Sequence, residues 1–324
     1  MKSDMLCPVC NTHSFSILYQ YTASQAATHF CSALRDADRN RRLEKSIRRL
    51  WNGKECRILQ CGNCGFSFAD PFVGGDEDFY SILYEEADYP AWRWDYDVAL
   101  HEVLFLRKGG TILDIGAGFG KFLAHLSKEW QCYGVEASEV NRSRLETIGI
   151  KVFCDLSEAM QVKTGAFEVI TLFQVLEHVS EFHKMLVDCR RLLCAGGQLV
   201  VTVPDGDAMI RQERITGCAD MPPNHVCKWT PKSLTMALKE AGFVVQKIMV
   251  EPSSWRKVKG NVYLKICADA QKSHSLAAQI YRLRSRRLRA PLLACLGFSA
   301  LLRMLPHVRN LRTGGAFAVV AEAC

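Results

Sequence analysis

Short apolar segments alternate with helical segments from Gly109 to the end of the chain, and this alternation restricts the fold more than any other feature. The pattern predicts seven strands, at residues 111–115, 132–135, 151–154, 167–173, 198–203, 243–250 and 316–321. It predicts helices between them at 121–130, 138–147, 181–193 and 232–241. Strands that alternate with helices in this way form an open, largely parallel sheet covered on both faces. The sequence therefore predicts an α/β fold.

A glycine-rich loop follows the first of these strands and reads Asp114-Ile115-Gly116-Ala117-Gly118-Phe119-Gly120. Glycines let a backbone turn sharply and approach a ligand without a side-chain clash. Dinucleotide sites share such loops, but the acid before the first glycine would repel a pyrophosphate. It would attract the ammonium and sulfonium groups of S-adenosylmethionine. The loop thus predicts a site for this cofactor that includes Asp114, Gly116, Ala117, Gly118 and Gly120.

Acidic residues also follow the next two predicted strands. Glu136 comes directly after the second strand, where an acid can accept hydrogen bonds from both ribose hydroxyls. Asp155 follows the third strand, where it can accept from the adenine amino group. Both residues are therefore predicted to bind the cofactor.

Two cysteine pairs with two-residue spacing lie near the N-terminus, and they predict a metal site. Four thiolates suit a closed tetrahedral zinc site, which is structural because no position is left for a substrate. We therefore expect a zinc ribbon at residues 1–71 with a basic helix inserted between the pairs, while Cys31 and Cys56 remain alternative ligands. The predicted zinc ligands are Cys7, Cys10, Cys61 and Cys64.

The chain has fifteen cysteines, and its first residues form no apolar signal segment. Cysteines without an export signal favour a reducing compartment, where thiols bind metals or pack. No run of about 20 apolar residues is present, so no helix is expected to span a bilayer. These observations predict a cytoplasmic protein.

Four segments in the correct order resemble class I S-adenosylmethionine-dependent methyltransferases of the ubiquinone- and glycan-modifying type. They are Leu113–Gly120, Gly134-Val135-Glu136, Phe173-Gln174-Val175-Leu176-Glu177-His178-Val179 and Leu193-Cys194-Ala195-Gly196-Gly197. The resemblance implies a Rossmann-like sheet of seven strands, mostly parallel with the last antiparallel. It implies that the glycine loop holds the methionine moiety and that Phe173 and Gln174 line the sulfonium. The preceding cysteine-rich segment resembles the ribbon of bacterial sugar C-methyltransferases and other glycan-associated members.

The acceptor side is expected in the segment Met221-Pro222-Pro223-Asn224-His225-Val226, which follows the fifth strand. His225 has a suitable ordinary pKa for a general base, although a hydrogen bond that shapes the pocket is the alternative role. His178 is expected to hydrogen-bond to local backbone. Similar sugar C-methyltransferases carry a Glu-His pair and then a tyrosine, whereas this chain has Asn224 and Trp229. That difference favours methylation of a hydroxyl over methylation of carbon.

Residues 72–106 are expected to form an aromatic helical linker, which either covers the acceptor or packs on the core. Its aromatic residues are Tyr80, Tyr84, Tyr89, Trp92, Trp94 and Tyr96. The methyltransferase domain is expected at 107–324, with an unusual insertion at about 255–312. There, arginines lie beside an apolar segment, a composition that suits either an anionic bilayer surface or a helix packed on the core with its arginines in water.

These features predict an enzyme that methylates a hydroxyl of a small molecule or saccharide, including an envelope glycan or a lipid-linked one. A ribosomal RNA methyltransferase is the first alternative, because zinc ribbons and arginine-rich helices also bind RNA. A sugar C-methyltransferase is a further alternative. A degenerate scaffold without activity is disfavoured by the complete set of Asp114, the loop glycines and Glu136. The absence of an Asn/Asp-Pro-Pro-Tyr motif after the fourth strand disfavours methylation of base amino groups.

Overall fold

A computed structural model describes residues 5–33, 35–85, 92–272, 274–283 and 285–324. Tyr89 lies outside these ranges. The elements before the glycine loop are, in chain order, β1 (Phe15–Tyr21), α1 (Ala23–Phe30), α2 (Ala37–Leu50), β2 (Cys56–Cys61), β3 (Ser67–Asp70), α3 (Glu77–Leu83), α4 (Trp94–Glu102) and β4 (Gly110–Ile115).

The elements after the loop begin with the second strand of the predicted series. They are β5 (Trp130–Val135), α5 (Glu139–Thr147), β6 (Lys151–Phe153), α6 (Leu156–Lys163), β7 (Phe167–Phe173), α7 (Phe182–Leu192), β8 (Leu193–Pro204), α8 (Gly206–Thr216), β9 (Cys227–Lys228), α9 (Pro231–Glu240), β10 (Phe243–Val250), α10 (Trp255–Ala270), α11 (Leu276–Tyr281), α12 (Arg286–Met304), α13 (Val308–Arg312) and β11 (Ala316–Ala323).

The larger sheet has seven strands in the order β10-β11-β8-β7-β4-β5-β6. Strands β8, β7, β4, β5 and β6 are parallel, whereas β11 pairs antiparallel with both β10 and β8. The predicted α/β sheet with an antiparallel last strand is therefore confirmed. Strand β7 is almost wholly buried, as expected of a strand covered on both faces.

The parallel strands bring three predicted site segments to the same edge of the sheet. Asp114 on β4 is in register with Gly134 on β5 and with Thr171 on β7. The three strands therefore end side by side, and the segments that follow them meet at the carboxyl edge of the sheet. Open α/β sheets bind ligands at this edge.

The smaller sheet contains β1, β2, β3 and β9, all antiparallel. Its fourth strand comes from far along the chain, because Ser67 pairs with Lys228 and Phe68 with Cys227. The ring of Phe66 lies 4.6 Å from the ring of Trp229 and 5.8 Å from that of Phe182. The N-terminal residues and the larger sheet thus share one hydrophobic core.

The predicted helix at 121–130 is wrong. The chain makes only a short 3₁₀ helix at Leu123–His125, and Trp130 already begins β5. Phe122 turns into the core, where its ring contacts those of Tyr96 and Phe173. The connection from Gly120 to β5 is too short to hold a long helix as well as the return to the sheet.

The expectation that no helix is long and apolar enough to cross a bilayer also needs correction. By length and composition alone, the helical run Arg287–Arg312 passes that test, since it has 26 residues and an 18-residue window within it has a mean hydropathy of 1.5. Only 6% of its most apolar window is buried. The apolar residues are interrupted by arginines and Pro291, which is why no single apolar run marks this segment in the sequence.

Candidate active site

The glycine loop forms a cradle that side chains would fill. Gly116, Gly118 and Gly120 have φ angles of 76°, 53° and 70°, in the left-handed region that favours glycine. A Cβ atom on Gly116 would lie 2.8 Å from Val175, and one on Gly120 would lie 2.3 Å from Leu145. Ala117, between them, is buried against the core. The loop therefore fits a ligand that approaches the backbone closely.

Asp114 is almost completely buried near the end of β4. Its carboxylate accepts a hydrogen bond of 2.7 Å from the hydroxyl of Thr171 on β7. Burial raises the pKa of Asp114 to about 7, against the opposing effects of Thr171 and the positive charge of Arg93. A cationic ligand group would stabilise the charged form of this buried carboxylate. This agrees with the prediction that Asp114 attracts the ammonium and sulfonium groups of S-adenosylmethionine.

Glu136 lies beside the glycine loop, where the sequence places it. One carboxylate oxygen accepts a hydrogen bond of 2.9 Å from the backbone amide of Gly118, and the other accepts from the amide of Ser138, also at 2.9 Å. The structure thus brings together the loop and the acid after β5. This arrangement fits a cofactor whose ribose lies over the loop.

The remaining predicted cofactor residues follow β6 and β7. Phe173 is buried at the end of β7, and Gln174 has a φ of 58° while its backbone amide donates to the carbonyl oxygen of Thr202. Asp155 is exposed and caps α6 by accepting from the backbone amide of Glu158. It lies at the same sheet edge as Glu136, but its carboxylate already has this local partner.

Sequence reasoning missed a partly buried ion pair near Asp114. Arg93 donates two hydrogen bonds to Asp95, of 3.0 and 2.9 Å, and a longer one to the carbonyl oxygen of Phe173. Asp95 also accepts from the hydroxyl of Thr202. This pair at the start of α4 contacts the ends of β7 and β8. No motif marks it, because its partners lie about 80 to 107 positions away in the chain.

The four predicted zinc ligands come together in the N-terminal region. The sulfur of Cys7 lies 3.7 Å from that of Cys64, and the sulfur of Cys10 lies 3.5 Å from that of Cys61. All four sulfurs lie within 4.8 Å of one another, which fits a tetrahedral zinc ion. Among the described residues, Cys31 and Cys56 are not in this group, so they are not the alternative ligands that the sequence allowed.

The cysteine knuckles contact the larger domain next to His225. The ring of His183 on α7 hydrogen-bonds to the carbonyl oxygen of Pro8 at 2.6 Å, and Thr230 donates to the carbonyl oxygen of Cys64. The amide of Ala69 on β3 donates to the carbonyl oxygen of Val226. The ribbon therefore holds the backbone directly after His225 by main-chain hydrogen bonds.

His225 forms a pair with Asp220, which sequence reasoning did not identify. Its Nδ1 lies 2.5 Å from a carboxylate oxygen of Asp220, so Nδ1 carries the proton and Nε2 is the basic nitrogen. Burial opposes the charged imidazole, but the charge and hydrogen bond of Asp220, helped by Glu177, raise the pKa of His225. The charge of His225 in turn overcomes the effect of burial and lowers the pKa of Asp220. A His-Asp pair of this type can accept a proton.

Glu177 and His178 lie beside this pair. The rings of His178 and His225 are 4.6 Å apart, and Nδ1 of His178 lies 2.7 Å from the backbone carbonyl oxygen of Asn224. His178 thus hydrogen-bonds to backbone, as expected, although its partner Asn224 is distant in the sequence. Burial, with the charge of His225, lowers the pKa of His178 to about 4, and burial raises the pKa of Glu177 to about 7.

The carboxylate of Glu177 is buried and has no hydrogen-bond partner among the described residues. Ligand atoms of Glu177, His178 and His225 lie within 4.8 Å of one another. Two histidines and one carboxylate are a set that divalent cations accept. These three residues are therefore the second place, after the cysteine cluster, where the described part of the chain can hold a metal ion.

A cavity of about 170 Å³ borders the His-Asp pair. Asp220 and Glu213 line it, together with His29 from the N-terminal region. Glu213 is buried and forms an ion pair of 2.6 Å with the buried Lys228. The cavity therefore has a charged wall on one side, and Met209 and Leu264 provide apolar contacts.

Some aromatic residues of the linker pack in the core, and others lie at the site. The hydroxyl of Tyr80 lies 3.2 Å from Nδ1 of His178, which places this residue at the site. Tyr96 packs against Phe122 and Phe173 below the glycine loop. Trp229, which replaces the tyrosine of the sugar C-methyltransferases, is fully buried in the core and does not reach the site.

Comparison with known proteins links this geometry to a family. The family described as methyltransferase domain matches residues 91–248, nearly half of the chain. A ubiquinone biosynthesis O-methyltransferase of Roseobacter denitrificans is 30% identical over 151 residues, which are 44% of this chain and 57% of the relative. An uncharacterized protein of Methanocaldococcus jannaschii is 27% identical over 148 residues, which are 42% of this chain and 64% of the relative. The chain thus spans less than two thirds of the length of these relatives.

Two solved structures also match parts of the chain at low identity. A SAM-dependent methyltransferase of Archaeoglobus fulgidus has 15% identity and a TM-score of 0.45, with 75% of this chain and 99% of that chain covered. The [4+2]-cyclase SpnF has 19% identity and a TM-score of 0.44, with 73% of this chain and 84% of that chain covered.

Proposed function

We propose that the whole chain acts as an S-adenosylmethionine-dependent methyltransferase, since residues 91–248 match the methyltransferase domain family. The acceptor proposed is a hydroxyl group of a small molecule or saccharide. The ubiquinone biosynthesis O-methyltransferases among the relatives support a hydroxyl acceptor. The fifteen cysteines of the chain support placement in a reducing compartment such as the cytoplasm.

The cofactor would be held by the residues at the carboxyl edge of β4, β5, β6 and β7. In this proposal the glycine loop and Asp114 bind the methionine moiety, Glu136 binds the ribose and Asp155 lies beside the adenine. Phe173 and Gln174 line the sulfonium. When bound, S-adenosylmethionine supplies a methyl group that is already activated, so the protein contributes mainly position and proton removal.

The His225–Asp220 pair is the single observation that carries the choice of a hydroxyl acceptor. A hydroxyl must lose its proton as it is methylated, and Nε2 of His225 can take that proton while Asp220 stabilises the imidazolium. In sugar C-methyltransferases an acidic residue precedes the histidine in the sequence. Here Asn224 occupies that position, and the carboxylate partner comes from Asp220, five positions earlier.

A divalent cation at Glu177, His178 and His225 is a second role for the same residues. The buried carboxylate without a hydrogen-bond partner favours it. A cation there would lower the pKa of an acceptor hydroxyl directly, and His225 would then be a ligand and not a base. Metal analysis of the wild type and of Glu177→Gln distinguishes the two roles, because only a metal-bound site holds a divalent cation beyond the zinc of the cysteine cluster and loses it with the carboxylate.

The proposal is tested by methyl transfer from radiolabelled S-adenosylmethionine into a fractionated extract of the source cells. We expect label in the small-molecule, saccharide or lipid-linked fraction, with none for Asp114→Ala and a much weaker signal for His225→Gln. Label in the RNA fraction would instead identify an RNA methyltransferase. Absence of label in every fraction, from a protein that is folded, would contradict enzymatic activity.

A further inference from the structure

The last helices of the chain carry a one-sided charge. Between Asp269 and Glu322 the sequence contains eight arginines and no acidic residue. This segment includes α11, α12 and α13, which follow α10 in the insertion between β10 and β11. A helical region with one sign of charge attracts an anionic partner.

Helix α12 exposes an apolar stripe along the same region. Its outward residues follow helical spacing, and the exposed fractions are 61% for Leu288, 42% for Leu292, 64% for Phe298, 50% for Leu302 and 47% for the following Leu305. Side chains three, four or seven positions apart share one face of a helix. Leucine and phenylalanine therefore form a continuous face that the described residues of the protein leave uncovered.

The opposite face of α12 is already occupied. Met304 packs with Val258 of α10 and Leu311 of α13 in a small separate core, and Leu301 contacts the same core. Leu296 lines a cavity of about 70 Å³ against Ile266 of α10 and Ala277 of α11. Because one face is fixed to the protein, α12 lies along the molecule. The hydropathy that satisfies the criterion for spanning a membrane thus comes from apolar residues on both faces, of which only the outer ones are free to meet a membrane.

Arginines lie at both ends of the stripe. Arg287 precedes Leu288, Arg303 follows Leu302, and Arg309 lies six residues further along, on α13. All three side chains are exposed. Arginine at the border of an apolar stripe can keep its guanidinium among lipid headgroups while the apolar side chains enter the acyl region. Each basic residue near an anionic bilayer adds to the attraction.

We propose that the outer face of α12 docks on the surface of an anionic lipid bilayer. Charge complementarity selects this partner. A second copy of the chain would bring the same arginines together without an acid to pair them. RNA would pair with the arginines but leave the leucine and phenylalanine side chains in water. Docking does not depend on the proposed methyl transfer, and its test needs no activity.

The test is co-sedimentation of the full chain with vesicles of phosphatidylcholine alone and of phosphatidylcholine mixed with phosphatidylglycerol. We expect binding to the mixed vesicles that weakens as salt is raised, and little binding to neutral vesicles. The double variant Phe298→Asp, Leu302→Asp should reduce binding to the mixed vesicles by at least about ten-fold, because it places two charges in the apolar stripe. The matched control is Val162→Asp on α6, a side chain that is 63% exposed and outside the insertion.

A second variant tests the charge without changing the apolar stripe. Arg287→Gln with Arg309→Gln should weaken binding to the mixed vesicles and flatten the salt dependence of that binding. Because both arginines are exposed, we expect the fold to be unaffected. Absence of wild-type binding to mixed vesicles would overturn the proposal. It would also be overturned by equal binding of wild type and double variant, by a dimer in sedimentation that the double variant breaks, or by RNA binding in place of vesicle binding.

Discussion

The N-terminal ribbon and the C-terminal insertion are both additions to the seven-stranded sheet, yet they join it differently. The ribbon contributes Phe66, Phe68 and Cys64 to the main core, and it takes β9 into its own sheet. The insertion has a small core of its own around Val258, Met304 and Leu311. Its longest helix leaves large apolar side chains in solvent. The ribbon is therefore packed into the main core, whereas the insertion leaves an apolar surface exposed.

The difference indicates separate tasks. The ribbon is fixed to the backbone next to His225 through Ala69 and Val226, so its folding determines the position of the proposed base. The insertion makes its exposed face available to something outside the chain. A lesion in the ribbon should accordingly affect stability and catalysis together, whereas a lesion on the outer face of α12 should affect neither.

The largest effect is expected from loss of a zinc ligand. Cys61→Ser removes one of four thiolates, and structural zinc sites contribute on the order of 10 kcal/mol to the folding of small modules. We expect a decrease of several kcal/mol in the free energy of unfolding and loss of bound zinc. Urea denaturation with metal analysis measures both. The control is Cys154→Ser at an exposed cysteine, and equal stability of the two variants would show that the cysteine cluster holds no structural metal.

The same substitution in the two regions sharpens the comparison. Phe66→Ala should lower the free energy of unfolding by about 3 to 5 kcal/mol, because it leaves a cavity between Phe182 and Trp229. Phe298→Ala should change it by less than about 0.5 kcal/mol, since its ring is 64% exposed. Denaturant titration of both variants gives the two values. Similar losses would mean that the stripe on α12 is packed in the folded protein.

Replacement of the proposed base should reduce the rate and spare the cofactor site. His225→Gln is expected to lower methyl transfer by about 10²- to 10⁴-fold, the usual contribution of general base catalysis. The dissociation constant of S-adenosylhomocysteine should stay unchanged, as no predicted cofactor residue contacts His225. Transfer at the wild-type rate would remove His225 from the mechanism and return it to the role of shaping the pocket.

The smallest effect concerns the pH dependence. The base acts when neutral, so the rate rises with pH through the pKa of His225, which Asp220 holds above its ordinary value of 6.5. Asp220→Asn removes that charge and leaves burial, which lowers the pKa, so the acidic limb of the profile should move to lower pH. The raised pKa of His225 also contributes stability to the fold that is fully present below about pH 6.5 and is lost as the pH rises through the folded pKa of His225. An unmoved limb in the pH–rate profile would show that another group is the base.

The geometry of the proposed cofactor side could be predicted in large part because its residues are local in the sequence. Asp114 and the loop glycines lie within seven consecutive positions, and the glycines have the positive φ angles that the motif requires. Glu136 was predictable because parallel strands place their following residues at one edge. The cysteine pairs were predictable because each pair is local in the sequence and its two-residue spacing suits one metal ion.

The acceptor side depends on contacts between distant segments, and there the sequence was insufficient. Arg93 and Asp95 reach Phe173 and Thr202 across the core, and no local pattern indicates this. Asp220 lies five residues before His225 with two prolines between them, a separation that neither helix nor strand periodicity connects. The helix expected at 121–130 is absent because the connection from Gly120 to β5 at Trp130 is short and must also carry the ring of Phe122 into the core.

The most direct test of the account is calorimetric titration of the full chain with S-adenosylhomocysteine. The account predicts one site per chain in the wild type, loss of binding in Asp114→Ala and retained binding in His225→Gln. Absence of binding by the folded wild type would contradict it, and the glycine loop would then be the remnant of a methyltransferase site in a protein with another task.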